Sequence, residues 1–115
     1  SLRVETKDMD FGTPAIEKMF YKVEITARWA IDSALTIKAA FDNSGTWQNM
    51  KADNGTTFYD GNGSMRNVTF YFESNGRPSR NHNSVRLKIM PGGGKWLAGF
   101  EVNDLTVFYR EKGIR

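Results

Sequence analysis

The chain contains no cysteine and a single histidine, His82, among 115 residues. Without cysteine there is no disulfide, no zinc–thiolate site and no thiol nucleophile. His82 has neither a second imidazole nor a thiolate to share a metal with, and it sits in the polar stretch Arg80-Asn81-His82-Asn83, which reads as a solvated loop. No nucleophile–base pair assembles from the spacing of residues, so a small β-sandwich hydrolase is the weakest of the function classes considered, and the expectation is a protein that is not an enzyme and carries no metal and no cofactor. Long apolar runs are missing as well. Nothing approaches the roughly 20 residues that span a bilayer, and no apolar leader opens the chain, so no membrane partner is expected. A sustained 3.6-residue stripe is also lacking, although residues 14–20 have room for one helical turn.

What is present is a period of two. Val23, Ile25 and Ala27, preceded by Met19 and Tyr21, alternate with Lys18, Lys22, Glu24, Thr26 and Arg28; this is the longest and cleanest such stretch. The pattern returns in Leu35, Ile37, Ala39 and Phe41, in Val68, Phe70 and Phe72, and in Val85, Leu87 and Ile89. Clusters rich in Asn, Asp and Gly lie between them: Asp42-Asn43-Ser44-Gly45, Asp53-Asn54-Gly55, Asp60-Gly61-Asn62-Gly63-Ser64, Ser74-Asn75-Gly76 and Pro91-Gly92-Gly93-Gly94. Such residues supply the positive φ angles of tight connections. The expected fold is all-β, an antiparallel β-sandwich of jelly-roll type with about seven to nine strands. Residues 1–115 form one domain, large enough to bury a core without staples. An early strand near residues 2–7 feeds the long strand through Asp8–Pro14, where Gly12 and Pro14 suit a change of direction between sheets.

Several constellations look chemical and read better as structure. Asp60-Gly61-Asn62-Gly63-Ser64 resembles a calcium loop, but the twelfth position from Asp60 is Tyr71, so the bidentate carboxylate is missing and a hairpin turn is expected. Pro91-Gly92-Gly93-Gly94-Lys95 precedes Trp96-Leu97-Ala98, which reads as a strand, so the helix N-terminus of a phosphate loop is lacking and a flexible hairpin is expected. Glu5, Asp8 and Asp10 show no spacing that fixes a catalytic pair across a cleft. Asn54, Asn62 and Asn67 match the Asn-x-Ser/Thr pattern inside turn-rich stretches and carry meaning only in a secreted chain. Charge divides unevenly: seven basic and eight acidic residues in 1–57, nine and five in 58–115. That bias is far from the electrostatic footprint of a nucleic-acid binder, and nucleic acid is disfavoured as a partner.

Two features point outward. Trp29, Trp47, Phe58, Tyr59, Tyr71, Trp96 and Phe108 fall at strand ends, in loops or on polar-phase positions. Most of these rings are expected to wrap the ends of the core; those left exposed would stack on sugars or anchor partner proteins, and Trp47, Tyr59 and Trp96, with Arg77 and Arg80, form the candidate binding surface. The second feature is the closing segment, residues 100–115. Its apolar phase runs through Phe100 and Val102, then through Leu105, Val107 and Tyr109. One strand cannot change phase without turning its apolar set to the wrong face, so a bulge or turn is expected at Asn103-Asp104. With it, the last segment is expected to serve both sheets and to tie the chain ends together, Asn103 or Asp104 bonding backbone groups that the shift leaves unpaired.

The two ends together carry a resemblance. The opening VETKDMDFGTPAIEKMFYKVEITAR and the closing FEVNDLTVFYREKGIR are similar to a β-sandwich domain of tailed-bacteriophage and prophage virion proteins. That family opens on a loop of the form K-D-F-D-F-G-x-P leading into K-x-x-Y-K-V, and ends near F-E-I-N-D-I-x-x-x-Y-R-x-K. Lys7, Asp8, Asp10, Phe11, Gly12, Pro14, Lys18, Tyr21, Lys22 and Val23 fit the first, with Met9 in place of an aromatic. Phe100, Glu101, Asn103, Asp104, Tyr109, Arg110 and Lys112 fit the second. The middle matches only loosely, through Gly45-Thr46-Trp47. The resemblance implies the C-terminal piece of a larger virion component of the tail or head-to-tail connection, assembled in the host cytoplasm. It brings no catalytic residues, makes Asp10, Gly12, Pro14, Asn103 and Asp104 structural, and implies other virion proteins or copies of itself as partners. The rival expectation, from fold alone, is a carbohydrate-binding module whose aromatics meet a host glycan.

Overall fold

The computed structural model describes residues 3–112, so Leu2 and the last three residues of the basic tail lie outside the described residues. Ten strands follow one another: β1 (Val4–Glu5), β2 (Lys18–Arg28), β3 (Ala34–Phe41), β4 (Gln48–Asn49), β5 (Lys51–Ala52), β6 (Phe58–Asp60), β7 (Arg66–Tyr71), β8 (Ser79–His82), β9 (Val85–Pro91) and β10 (Glu101–Glu111). The only helical element among the described residues is a 3-10 turn at Ser74–Gly76, so the turn allowed for in residues 14–20 does not form a helix.

The strands make two antiparallel sheets packed face to face. Sheet A runs β1-β9-β3, with β4 and β6 end to end along the far side of β3. Sheet B runs β10-β2-β7-β5, with β8 continuing the line of β7 beside β2. The pairs β1·β9, β2·β7 and β3·β6 are nested, as when one long hairpin is folded over into two layers, and this is the jelly-roll arrangement that the strand pattern led us to expect. There are more strands than expected because residues 48–52 split at Met50. Its buried side chain marks where the chain leaves sheet A for sheet B.

The inward residues of both sheets meet in one core: Phe20, Val23, Ile25 and Ala27 from β2, Leu35, Ile37, Ala39 and Phe41 from β3, Val68 and Phe70 from β7, Val85, Leu87 and Ile89 from β9. Phe20, Phe41 and Phe72 form an aromatic cluster with ring centroids 5.6–5.8 Å apart. Tilted contacts at this separation suit the ring quadrupoles. Trp29 caps the other end, fully buried, its Nε1–H donating to the Tyr59 carbonyl at 3.0 Å.

Strand β2 breaks the alternation expected of it. Val23, Ile25 and Ala27 are buried at odd positions, but so are Lys18 and Phe20 at even ones. The register slips at Tyr21: Lys22 faces Phe108, whereas Phe20 faces Tyr109. A bulge of this kind exchanges the two faces of a strand.

Two glycine-bearing turns also differ from expectation. β6 lies in sheet A and β7 in sheet B, so Asp60–Ser64 is a crossing between sheets and not a hairpin. Gly61 is wedged there: a Cβ on it would lie 2.1 Å from the Ala30 carbonyl oxygen and 2.6 Å from that of Trp29. The stretch Pro91–Lys95 likewise leads from sheet A towards sheet B. It is a packed turn, closed by Lys95 N–H on the Gly92 carbonyl at 3.0 Å and resting on Phe58. Residues 96–98 form no strand; Trp96 makes one bridge to Ser33.

Candidate functional site

The opening loop and the last residues of the closing segment, Tyr109 to Lys112, come together at one end of the sandwich, whereas Glu101 to Asp104 lie beside Arg28 to Thr26 at the other. The chain leaves β1, bonds β9 through Met9 N–H on the Val85 carbonyl (2.8 Å), and turns at Asp10–Thr13. Asp10 Oδ1 accepts the Gly12 N–H at 2.9 Å, and Gly12 has φ +81°, a conformation glycine adopts without strain. The turn presents Phe11, whose ring stacks on Tyr109 of β10 at 4.3 Å between centroids and touches Phe20 at 6.2 Å. Lys112 N–H then donates to the Glu17 carbonyl at 2.8 Å, fastening the end of β10 to the start of β2.

Under this loop lies Lys18, a completely buried lysine. Its Nζ donates to the carbonyls of Thr13 (2.6 Å), Ile16 (2.9 Å) and Asn83 (2.9 Å), which uses all three protons. A buried ammonium without a carboxylate is tolerated because each N–H meets an oxygen. Pro14 contributes its carbonyl, which accepts Asn83 Nδ2–H at 2.7 Å. Asp10, Gly12 and Pro14 therefore shape a loop that is pinned to the β8–β9 turn as well as to β10.

The bulge expected at Asn103-Asp104 is present, the register with β2 slipping between Val102 and Asp104. The chain ends are tied as expected, but two other parts of that expectation need correction. β10 pairs only with β2 and stays in sheet B, so it does not serve both sheets. Among the described residues, neither Asn103 nor Asp104 makes a side-chain hydrogen bond, and both are exposed.

His82 is not a solvated loop residue. It ends β8, its ring stacks on Phe41 at 3.8 Å, and it joins a hydrogen-bonded chain: Ser79 Oγ to Nε2 at 3.0 Å, and Nδ1 to Asp42 Oδ2 at 3.0 Å. Ser79 and His82 reach the same side because β8 carries a bulge opposite Met19, with Asn81 at φ +66°. A serine–histidine–aspartate order of this sort is the base relay of acyl transfer, and the spacing of 42, 79 and 82 gave no signal of it. Two observations argue for a structural tie. The Asp42 side chain is 45% exposed, and the groove next to β8 is lined by Glu73, Ser74, Arg77, Pro78 and Arg80, without Ser79. Asp42 also accepts the Asn83 N–H at 2.6 Å, so one carboxylate links the end of β3 in sheet A to β8 and the turn after it. Burial opposes its ionisation, but these bonds and the nearby imidazole outweigh that and hold its carboxyl below the ordinary value of 3.8.

The candidate binding surface does not assemble as one face. Tyr59 pairs with inward-facing Leu35 and points into the sandwich, edge-on to Phe70 at 5.2 Å, and its hydroxyl donates to the Thr69 carbonyl at 2.8 Å. Trp47 lies on the outer face of sheet A with Lys88 Nζ 4.2 Å and the Arg86 guanidinium 4.9 Å from its ring centroid. Trp96 is 71% exposed at the opposite end, where it bridges to Ser33. Arg77 and Arg80 share the groove beside β8, where Arg80 also approaches Met19 Sδ at 3.2 Å. Trp29 wraps an end of the core, as expected of most of these rings.

Sequence reasoning passed over the outer edge of β10. This strand is 11 residues long, none of them buried, and among the described residues it has β2 on one side and no strand on the other. Among the described residues no group of three or more potential ligands gathers to hold a metal ion. Comparison with family models, with curated proteins and with solved structures finds no match for the chain.

Proposed function

We propose that the chain is a non-enzymatic structural and interaction domain of a tailed-bacteriophage virion protein, working in the tail or the head-to-tail connection. The observation that supports this reading most is the meeting of its two end motifs: Phe11 of the opening loop on Tyr109 of the closing strand, with Lys112 bonded to Glu17. Residues that sit far apart in sequence and carry the resemblance thus have one mechanical role, closing the end of a sandwich. A domain fastened in this way bears load at its ends without unravelling and suits attachment to a larger assembly. The glycan rival loses support at the surface first expected for it, because Tyr59 points inward and cations cover Trp47, so Trp47, Tyr59 and Trp96 form no common strip for a sugar to lie on.

Mass spectrometry of purified particles tests the reading: peptides of this chain should be present at the stoichiometry of a structural protein, and their absence from particles overturns it. The non-enzymatic half has its own test. The protein is expected to hydrolyse no ester, glycoside or phosphodiester, and turnover that survives repurification and is lost in Ser79→Ala would refute it.

A further inference from the structure

Natural sheets seldom leave a long strand open at the edge, because its unpaired N–H and C=O groups are a template for another strand. Among the described residues the other outer strands are two to four residues long: β1, β4, β5, β6 and β8. β10 is the exception, at 11 residues. It contains no proline or lysine, and its own bulge lies at Asn103, near one end, leaving Asp104 to Glu111 regular. Its inner side is unfinished too. Leu105, Val107 and Tyr109 pack on the core yet remain only half-buried, so a rim of apolar surface runs along the open edge.

We propose that β10 pairs with β10 of a second copy, antiparallel about a two-fold axis at Val107, joining two copies of sheet B into one continuous sheet. The register follows from the side chains. With Val107 opposite itself, Leu105 meets Tyr109 twice on the inner face and extends both cores across the junction. On the outer face Thr106 meets Phe108, and Asp104 meets Arg110 twice. Neither charge is committed elsewhere, since the ion pairs among described residues are Lys22–Glu24, Arg28–Glu101, His82–Asp42, Lys95–Asp60 and Lys112–Glu17. Centring the axis on Thr106 instead places Glu101 opposite Glu111, and like charges directly opposed destabilise a strand pair. A closed two-fold contact of this kind is isologous and self-limiting. It covers less than the roughly 1,200 Å² of a standard interface, so the dimer is weak alone and gains strength when a parent chain holds copies together.

This proposal deepens the assembly reading above by naming the partner, and the two fail separately: particle composition tests one, self-association of the chain tests the other. Sedimentation of the full chain across micromolar to millimolar concentrations is expected to show a monomer–dimer equilibrium with Kd between about 10 µM and 1 mM. Arg110→Asp, which opposes two pairs of carboxylates, should weaken it about tenfold, and the swap Asp104→Arg with Arg110→Asp should restore it to within about threefold. Because the chain has no cysteine, Val107→Cys supplies one thiol at the axis and should oxidise to a covalent dimer, whereas Trp96→Cys should not. The charge variants sit on exposed positions and keep the test informative if Val107→Cys fails to fold. A chain that stays monomeric at millimolar concentration overturns the proposal and leaves the edge to a strand of another protein. A dimer indifferent to both charge variants overturns it equally.

Discussion

β3 and β10 are built from similar alternating sequence and end in opposite circumstances. In β3, seven of eight residues are buried, including Thr36 and Ala40 on the face that the alternation assigns to solvent. In β10 none of 11 is. The difference lies in the neighbours. β3 has β9 along one side, β4 and β6 along the other, and the Gly92–Gly93 turn and Phe58 lying over Thr36. Among the described residues β10 has one neighbouring strand, and only the Lys22 side chain, over the Phe108 ring, reaches across its outer face. Burial in a sheet is thus set by position as much as by pattern, and the open strand is where the molecule has surface to offer. If that contrast is right, damage on the enclosed side should unfold the protein, whereas damage on the outward-facing side chains of β10 should leave it folded and change what it binds.

The largest effect is expected at Gly61. A methyl group there would overlap the backbone carbonyls of Ala30 and Trp29, and neither can swing aside as a side chain does. Gly61→Ala should cost about 3 kcal/mol or more, seen as a large drop in the urea midpoint at unchanged slope. Lys18→Met comes next. It removes three donors at once and leaves the carbonyls of Thr13, Ile16 and Asn83 with no N–H, at an expected cost of about 3 kcal/mol. A variant as stable as the parent would show that the loop does not need its pin.

Asp42→Asn is expected to be milder, about 1 kcal/mol, because the side chain is nearly half exposed and water replaces part of what is lost. Its signature is in pH. Asp42 titrates lower in the folded chain than in the unfolded one, so its contribution is complete above the unfolded value of about 3.8 and disappears as pH falls through the lower folded value. Stability of parent and Asp42→Asn, compared between pH 6 and pH 2, should therefore converge at the acid end. Parallel curves would mean that the carboxylate contributes nothing to holding β3 against β8.

Much of the fold was legible because the apolar period of two survives in β2, β3, β7 and β9, and because the phase change at Asn103 requires a bulge or a turn, of which the structure has the bulge. The bulge at Tyr21 was not legible, for a definite reason. Met19 and Tyr21 are apolar at the positions that the bulge turns outward, and Lys18 is charged at a position it turns inward, so an unbroken alternation appeared where the strand in fact exchanges faces. Tyr59 was misplaced because a ring at a strand end looks the same in sequence whether it covers the core or leaves it. The Asp42–His82–Ser79 chain depends on β3 ending beside β8, a neighbourhood created by the folding over of the whole hairpin. The open edge was hidden because sequence does not say which strand comes last in a sheet.

The smallest expected effect is also the one that separates structure from association. Asn103 and Asp104 belong to the closing motif, which suggests that replacing either should unsettle the fold. The structure argues otherwise: both are exposed, and a bulge on an outer strand asks little of the side chain it carries. Asn103→Leu and Asp104→Leu should each move stability by no more than about 0.5 kcal/mol, the range of surface substitutions. Their effects on self-association should differ. Asn103 lies outside the regular part of the edge, so its variant should dimerise like the parent, while Asp104→Leu removes a charge opposite Arg110 in both halves and should weaken the dimer several-fold. Thermal melts and sedimentation on the same two proteins decide the matter: equal melts with unequal association place the role of Asp104 in pairing. A large loss of stability in either variant would return the motif to the fold.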